Sequence, residues 1–280
     1  METSCLNMLF SKRSMMQLAD SGTCEAFCEA VVRFVGRRKC ITNGEALSNV
    51  FSYMKRHYRN EYVYKSLLLK KIVYGRHSPH TTSALCELPV GGSIADFVLI
   101  NGKACVYEIK TDLDNLVRLE AQIQDYYRAF RFVSVVCSEG MSKSLSKFLE
   151  DSPVGLMVLT RNLTFRTLKE PVCCDTGIDS FVQFDLLRKS EREDVILQCG
   201  GILPETTQVQ YYSACLKAFK KLNPEHRMAA FEGTLKKRGD FIDQEALLLY
   251  PEEFRLIAYN HGANVRQAMQ LQQFSRSLYR

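Results

Sequence analysis

Two turn signals, Gly91-Gly92 and Asn101-Gly102, cut the segment from Thr82 to Lys110 into three short apolar runs. Glycine tolerates the positive φ that tight hairpin turns need, so this pattern predicts three antiparallel strands. A two-residue Gly91–Gly92 turn pairs Val90 with Ser93, Pro89 with Ile94, Leu88 with Ala95 and Glu87 with Asp96. Opposed residues share a face, so Glu87 and Asp96 lie side by side. The second turn allows two registers. A two-residue Asn101–Gly102 turn sets Asp96 opposite Tyr107 and sends Glu108 to the other face. A three-residue Asn101–Gly102–Lys103 loop pairs Ile100 with Ala104 and Asp96 with Glu108. The second register is favoured because the acids meet in it; both faces are apolar either way.

In that register three carboxylates form a row across three strands, with Lys110 next along the same face as Glu108. Like charges in a partly buried site repel unless a proton, a cation or a metal neutralises them. Oxygen-only ligands favour a hard cation such as Mg²⁺ or Mn²⁺. A lysine beside a bound water can position it or lower its pKa. The set suits in-line hydrolysis of a phosphodiester, where charge develops on phosphoryl oxygens.

The rest of the chain supplies the frame. Apolar spacing is helical from about Cys24 to Tyr74, with Thr42 or Asn43 as an N-cap and a stop near Gly75 and Pro79. DNLVRLEAQIQDYYRAF, Asp114 to Phe130, predicts an amphipathic helix burying Leu116, Leu119, Ile123, Tyr126 or Tyr127, and Phe130. Phe132 to Cys137 and VGLMVLT read as buried strands, with a short helix between them. The order of elements predicts an α/β fold: a mixed sheet flanked by helices, antiparallel in its first half. Pro171 to Gly201 reads as a boundary, and helical patterns dominate beyond it. The expected division is a helical region over 1–56, a sheet domain over 57–172 and a mainly helical region over 173–280.

The chain has 280 residues, 46% hydrophobic and 24% charged, with a net charge of +6. That balance is ordinary for a globular protein and compatible with a polyanion partner. The 11 cysteines show no disulfide framework, and no apolar run reaches membrane-spanning length. A cytoplasmic protein with buried thiols is expected.

Asp96 followed by Glu108-Ile109-Lys110 on the next strand resembles the PD-(D/E)XK nuclease superfamily, and Gln122 to Tyr126 is similar to the QxxxY element of its RecB-type branch. The segment from Gly91 to Phe130 also resembles a group of mostly uncharacterised bacterial nuclease-like proteins. The likeness covers about Tyr58 to Thr160. It implies a restriction-endonuclease-like sheet and metal-dependent cleavage of nucleic acid, DNA rather than RNA. Asp96 and Glu108 would be metal ligands, and Lys110 would orient water. Gln122 and Tyr126, on one helical face, would line the site. Glu61 is the candidate for an acid from the helix before the sheet, and Glu87 is added from the register. Bacterial defence against foreign DNA, or a prophage-borne role, is the implied context. No proline precedes Asp96, a common departure. The one-plus-three cysteine pattern of the iron–sulfur relatives is missing.

Plainer readings stand beside these. Asp96 and Glu108 could be a solvated strand end with Lys110 as ion-pair partner, Glu61 an exposed helical acid, Gln122 an exposed helix residue and Tyr126 core. LKKRGD and the C-terminal arginines read first as solvated helix faces. Cys24 and Cys28 complete no zinc motif, and His57, His77 and His80 are too scattered to form a site. The alternative function is a catalytically silent nuclease-fold module that binds nucleic acid or a partner protein. The C-terminal helices are the candidate surface for a protein partner.

Overall fold

A computed structural model describes residues 3–36, 40–75, 81–240 and 242–279. His77, His80 and the expected stop at Pro79 lie outside them. The helices α1 (Ser4–Leu9), α2 (Lys12–Ser21), α3 (Glu25–Phe34), α4 (Asn43–His57) and α5 (Glu61–Leu68) come first, α5 running on as a π-helical stretch over Leu69–Val73. Thr42 caps α4 in a reciprocal capping box with Glu45, which satisfies two helix-end donors at once.

The sheet follows: β1 (Ser83–Val90), β2 (Ser93–Asn101), β3 (Lys103–Lys110), α6 (Leu119–Tyr127), β4 (Phe132–Ser138), α7 (Ser142–Phe148), β5 (Gly155–Leu159) and β6 (Phe165–Lys169). The six strands lie in sequence order. β1–β2–β3 are antiparallel, β3–β4–β5 parallel, and β6 returns antiparallel on β5. This is the expected mixed α/β sheet with helical N- and C-terminal regions. Then come α8 (Ser180–Leu186), α9 (Lys189–Gln198), α10 (Gln208–Lys220), α11 (Pro224–Lys237), α12 (Gln244–Leu249), α13 (Arg255–His261) and α14 (Val265–Arg276).

The chain forms two compact units, one of residues 1–75 with 241–280, the other of residues 76–240. The expected division at 56/57 and 172/173 follows composition and helical pattern, whereas these units follow contacts between residues. In the second unit, Val98, Ile100 and Val106 of the sheet share one buried cluster with Phe130, Phe184 and Phe231. Removing each such side chain from water contributes roughly 1.5–3 kcal/mol, so α8 to α11 belong to the sheet's core. In the first unit, α14 packs on α2 and α4, and Asn43 donates its backbone N–H to the Ser277 carbonyl at 2.8 Å. Among the described residues no helix is long and apolar enough to cross a membrane.

Candidate functional site at the carboxyl end of β3

The β1–β2 turn has the expected register, with Val90 opposite Ser93, Pro89 opposite Ile94 and Leu88 opposite Ala95. Asp125 of α6 holds it: Oδ2 accepts from the Gly92 N–H at 3.1 Å and the Ser93 hydroxyl at 2.7 Å. Gly91 sits at φ 61°, and a Cβ there would lie 2.7 Å from Asp125 Oδ1. Glycine is thus required by conformation and by space.

The β2–β3 pair takes the three-residue register, Ile100 opposite Ala104 through Phe97 opposite Tyr107. The next opposed positions are Asp96 and Glu108. There the ladder gives way to a side chain: Asp96 Oδ2 accepts the Ile109 N–H at 2.7 Å. The Asp96 carboxylate is thereby pinned against β3 beside Glu108.

Glu108 and Lys110 alternate onto one face of β3, as period two dictates. Glu108 is 1% exposed and Lys110 8%. Lys110 Nζ donates to Glu108 Oε1 at 2.7 Å and to Gln122 Oε1 at 2.9 Å. The Tyr126 hydroxyl meets Glu108 Oε2 at 2.6 Å and the Ile94 carbonyl at 2.8 Å. Gln122 and Tyr126, one helical turn apart on α6, thus grip the lysine and the glutamate. Burying these two ions costs several kcal/mol each, offset by their mutual attraction and these hydrogen bonds. Burial, followed by the charge of Glu108, pushes the Tyr126 hydroxyl far above its ordinary value. It stays protonated and remains a donor. Asp96 and Gln122 are only partly buried and form the exposed side of the group.

Asp96, Glu108, Lys110, Gln122 and Tyr126 therefore come together. Glu87 and Glu61 stand differently. Glu87 adopts φ 52°, and the ladder skips the Glu87–Asp96 pair although Cys86 again opposes Phe97. This left-handed residue shifts the strand's alternation, so that Leu85 and Leu88 both face the core cluster. Glu87 itself is exposed. Among the described residues no group of three or more His, Cys, Asp or Glu side chains gathers to hold a metal ion, so the expected row of three acids is not assembled. Glu61 opens α5 in the other unit and pairs with Lys65.

Asp125 is a positioning residue that spacing alone did not disclose, although it lies between Gln122 and Tyr126 and its target is the Gly-Gly turn. Another is Asp112, which accepts from the Ser138 hydroxyl at the end of β4. Within LKKRGD, Lys237 and Asp240 are exposed as a solvated face requires, whereas Arg238 is drawn into an ion pair. Arg238 forms a two-pronged pair with Glu191 of α9, Nε to Oε1 at 2.8 Å and Nη2 to Oε2 at 2.6 Å.

No solved structure matches the chain. Protein cII of enterobacteria phage P4 is 31% identical over 109 residues, 38% of this chain and 40% of that protein. The aligned region thus spans about two fifths of the relative's length. A family model described as bacteriophage P4 protein cII matches residues 54–244, more than half of the chain and every candidate site residue. The chain belongs to the bacteriophage P4 protein cII family.

Proposed function

We propose that the protein is a metal-dependent nuclease that hydrolyses phosphodiester bonds, of DNA rather than RNA. The observation that carries this reading is the convergence of Asp96, Glu108, Lys110, Gln122 and Tyr126 in one group at the carboxyl end of β3. It is the constellation that the PD-(D/E)XK resemblance implies. The family name carries no chemistry, so the reading rests on these residues; its phage origin agrees with action on phage or foreign DNA.

The donors fit a hard divalent cation, Mg²⁺ or Mn²⁺. Asp96 and Glu108 are oxygen ligands at opposed register positions, and each carboxylate offers about four lone-pair sites, more than its observed bonds use. These two residues would hold the ion, which when bound supplies charge stabilisation for the phosphoryl oxygens. Lys110 has three N–H donors, of which Glu108 and Gln122 take two. The third can orient the attacking water or a phosphate oxygen. Tyr126 fixes the Glu108 carboxylate, and Gln122 fixes the lysine.

One observation favours the silent-module reading. Both Glu108 oxygens are engaged by Lys110 and Tyr126, and no third acid joins them among the described residues. The two readings separate on incubation of the purified protein with circular DNA, linear DNA and RNA, with Mg²⁺, Mn²⁺ or EDTA. Metal-dependent cutting of DNA is expected. A folded protein that binds DNA tightly and leaves it intact with either metal would favour the module.

A further inference from the structure

A cavity of about 480 Å³ opens among α8, α9 and α10 in the sheet-bearing unit. That is room for a small organic ligand. Its wall combines the Phe184, Tyr211 and Tyr212 rings with the cations Lys189 and Arg192. Arg192 is fixed, Nε donating to the Phe184 carbonyl at 2.7 Å and Nη2 to the Asp185 carbonyl at 3.2 Å. Its guanidinium carbon lies 4.5 Å from the Phe184 ring centre and 5.0 Å from that of Tyr212. Lys189 is exposed and holds Nζ 5.2 Å from the Tyr211 ring centre.

Acidic groups share the site. Glu193 lines the cavity together with Tyr211, and the Tyr212 hydroxyl donates to Asp185 Oδ1 at 3.4 Å. The cavity therefore does not suit a bare anion. It suits a ligand with a flat apolar face, edge donors for the Glu193 carboxylate and one anionic group for Lys189. A nucleotide has all three. Bases stack on aromatic rings whatever their sequence, carboxylates accept from exocyclic amines, and lysine takes phosphate. Tyr212 remains 43% exposed, so a stacked base would cover ring surface that water now meets.

We propose that the cavity lined by Lys189, Arg192, Tyr211 and Tyr212 binds a nucleotide, its base stacked on the tyrosines and its phosphate on Lys189. The site is separate from the Glu108 group and does not depend on the phosphodiesterase reading. The ligand is a free nucleotide or one residue of a single strand, and the two sources share this chemistry.

The test is equilibrium binding by the full chain in EDTA, so that cleavage does not enter. The probes are a fluorescein-labelled single-stranded oligodeoxycytidylate, read by anisotropy, and CMP as competitor. Wild type is expected to bind the strand, and Tyr211→Leu and Tyr212→Leu each to weaken it by about tenfold, the scale of one lost base stack. Tyr212→Phe, which keeps the ring, retains binding within about twofold on the same scale. Lys189→Gln flattens the salt dependence. Displacement by CMP assigns a free-nucleotide site; persistence of strand binding against CMP assigns a strand site. Equal affinity of wild type and both leucine variants, with circular dichroism unchanged, overturns the proposal, as does absence of binding to either probe. Binding with ring dependence in a protein that cuts nothing would retain this site and discard the nuclease.

Discussion

Tyr126 shows how much one side chain carries at the residue scale. Its hydroxyl ties α6 to the Ile94 carbonyl on β2 and to Glu108 on β3. Its single proton is shared between these two acceptors, the Glu108 oxygen being the nearer at 2.6 Å, and removing it leaves that buried carboxylate oxygen without its tyrosine donor. Tyr126→Phe is therefore expected to lower unfolding free energy by about 1–3 kcal/mol, read in urea denaturation, with the fold retained. An unchanged midpoint would mean that Glu108 is not held by this hydroxyl. Asp96, Glu108 and Lys110 were legible from the period-two alternation of strands once the register that brings the acids together is taken, whereas Gln122 and Tyr126, on a helix, were legible only through the QxxxY resemblance. The position of Glu87 was legible and its conformation was not. A left-handed backbone at a glutamate leaves no mark in a pattern of apolar residues. At the same scale Gly91→Ala puts a Cβ against Asp125 at positive φ. It should cost about 1–2 kcal/mol from the backbone alone, measurable in the same titration.

At the scale of elements, the α9–α11 contact is clasped by Glu191 and Arg238, whose side chains are largely buried. Burial pushes the Glu191 carboxyl up, but hydrogen bonds from Arg238 and the Arg188 backbone outweigh it, and the net shift is downward. A carboxylate held low in the folded state stabilises above its unfolded value, and that contribution is lost as pH falls through the folded one. Wild type should therefore lose more stability than Glu191→Gln when urea titrations are moved from neutral pH to below the ordinary glutamate range. Parallel losses would show that the clasp does not discriminate between charge states. Several elements escaped the sequence for local reasons. α6 begins at Leu119, not Asp114, because Asp114 Oδ2 instead takes the Thr111 N–H and hydroxyl, each at 2.8 Å, in a tight turn. β6 has an alternating half-exposed pattern, the weak signature of an edge strand, and the register slips between Leu156 and Met157. α8 is short and sits where Gly177 and Pro171 suggest a linker.

For the whole molecule, the division into units is set by contacts between residues far apart in sequence, and composition does not encode them. The unit holding α1 to α5 is closed by the last helix. Phe274 and Tyr279 pack their rings on Phe27 at 5.3 and 5.7 Å, and Asn43 Nδ2 donates to the Phe274 carbonyl at 3.2 Å. Deleting residues 262–280 should therefore expose 1–75 to limited proteolysis while 81–240 stays protected. Protection of both would show that the first helices hold together without α14. The cluster that unites sheet and α8–α11 has the same origin: each helix's apolar face is readable alone, but its partner is not.

The central claim, that Glu108 and Lys110 are parts of a nuclease centre, meets its most direct measurement in the initial rate of Mn²⁺-dependent DNA cleavage. Wild type is compared with Glu108→Gln and Lys110→Ala at equal folded concentration, checked by circular dichroism. Both variants should lose at least about a hundredfold in rate, the scale of removing a preorganised charge from a hydrolytic site. Cleavage at the wild-type rate in either variant would contradict it.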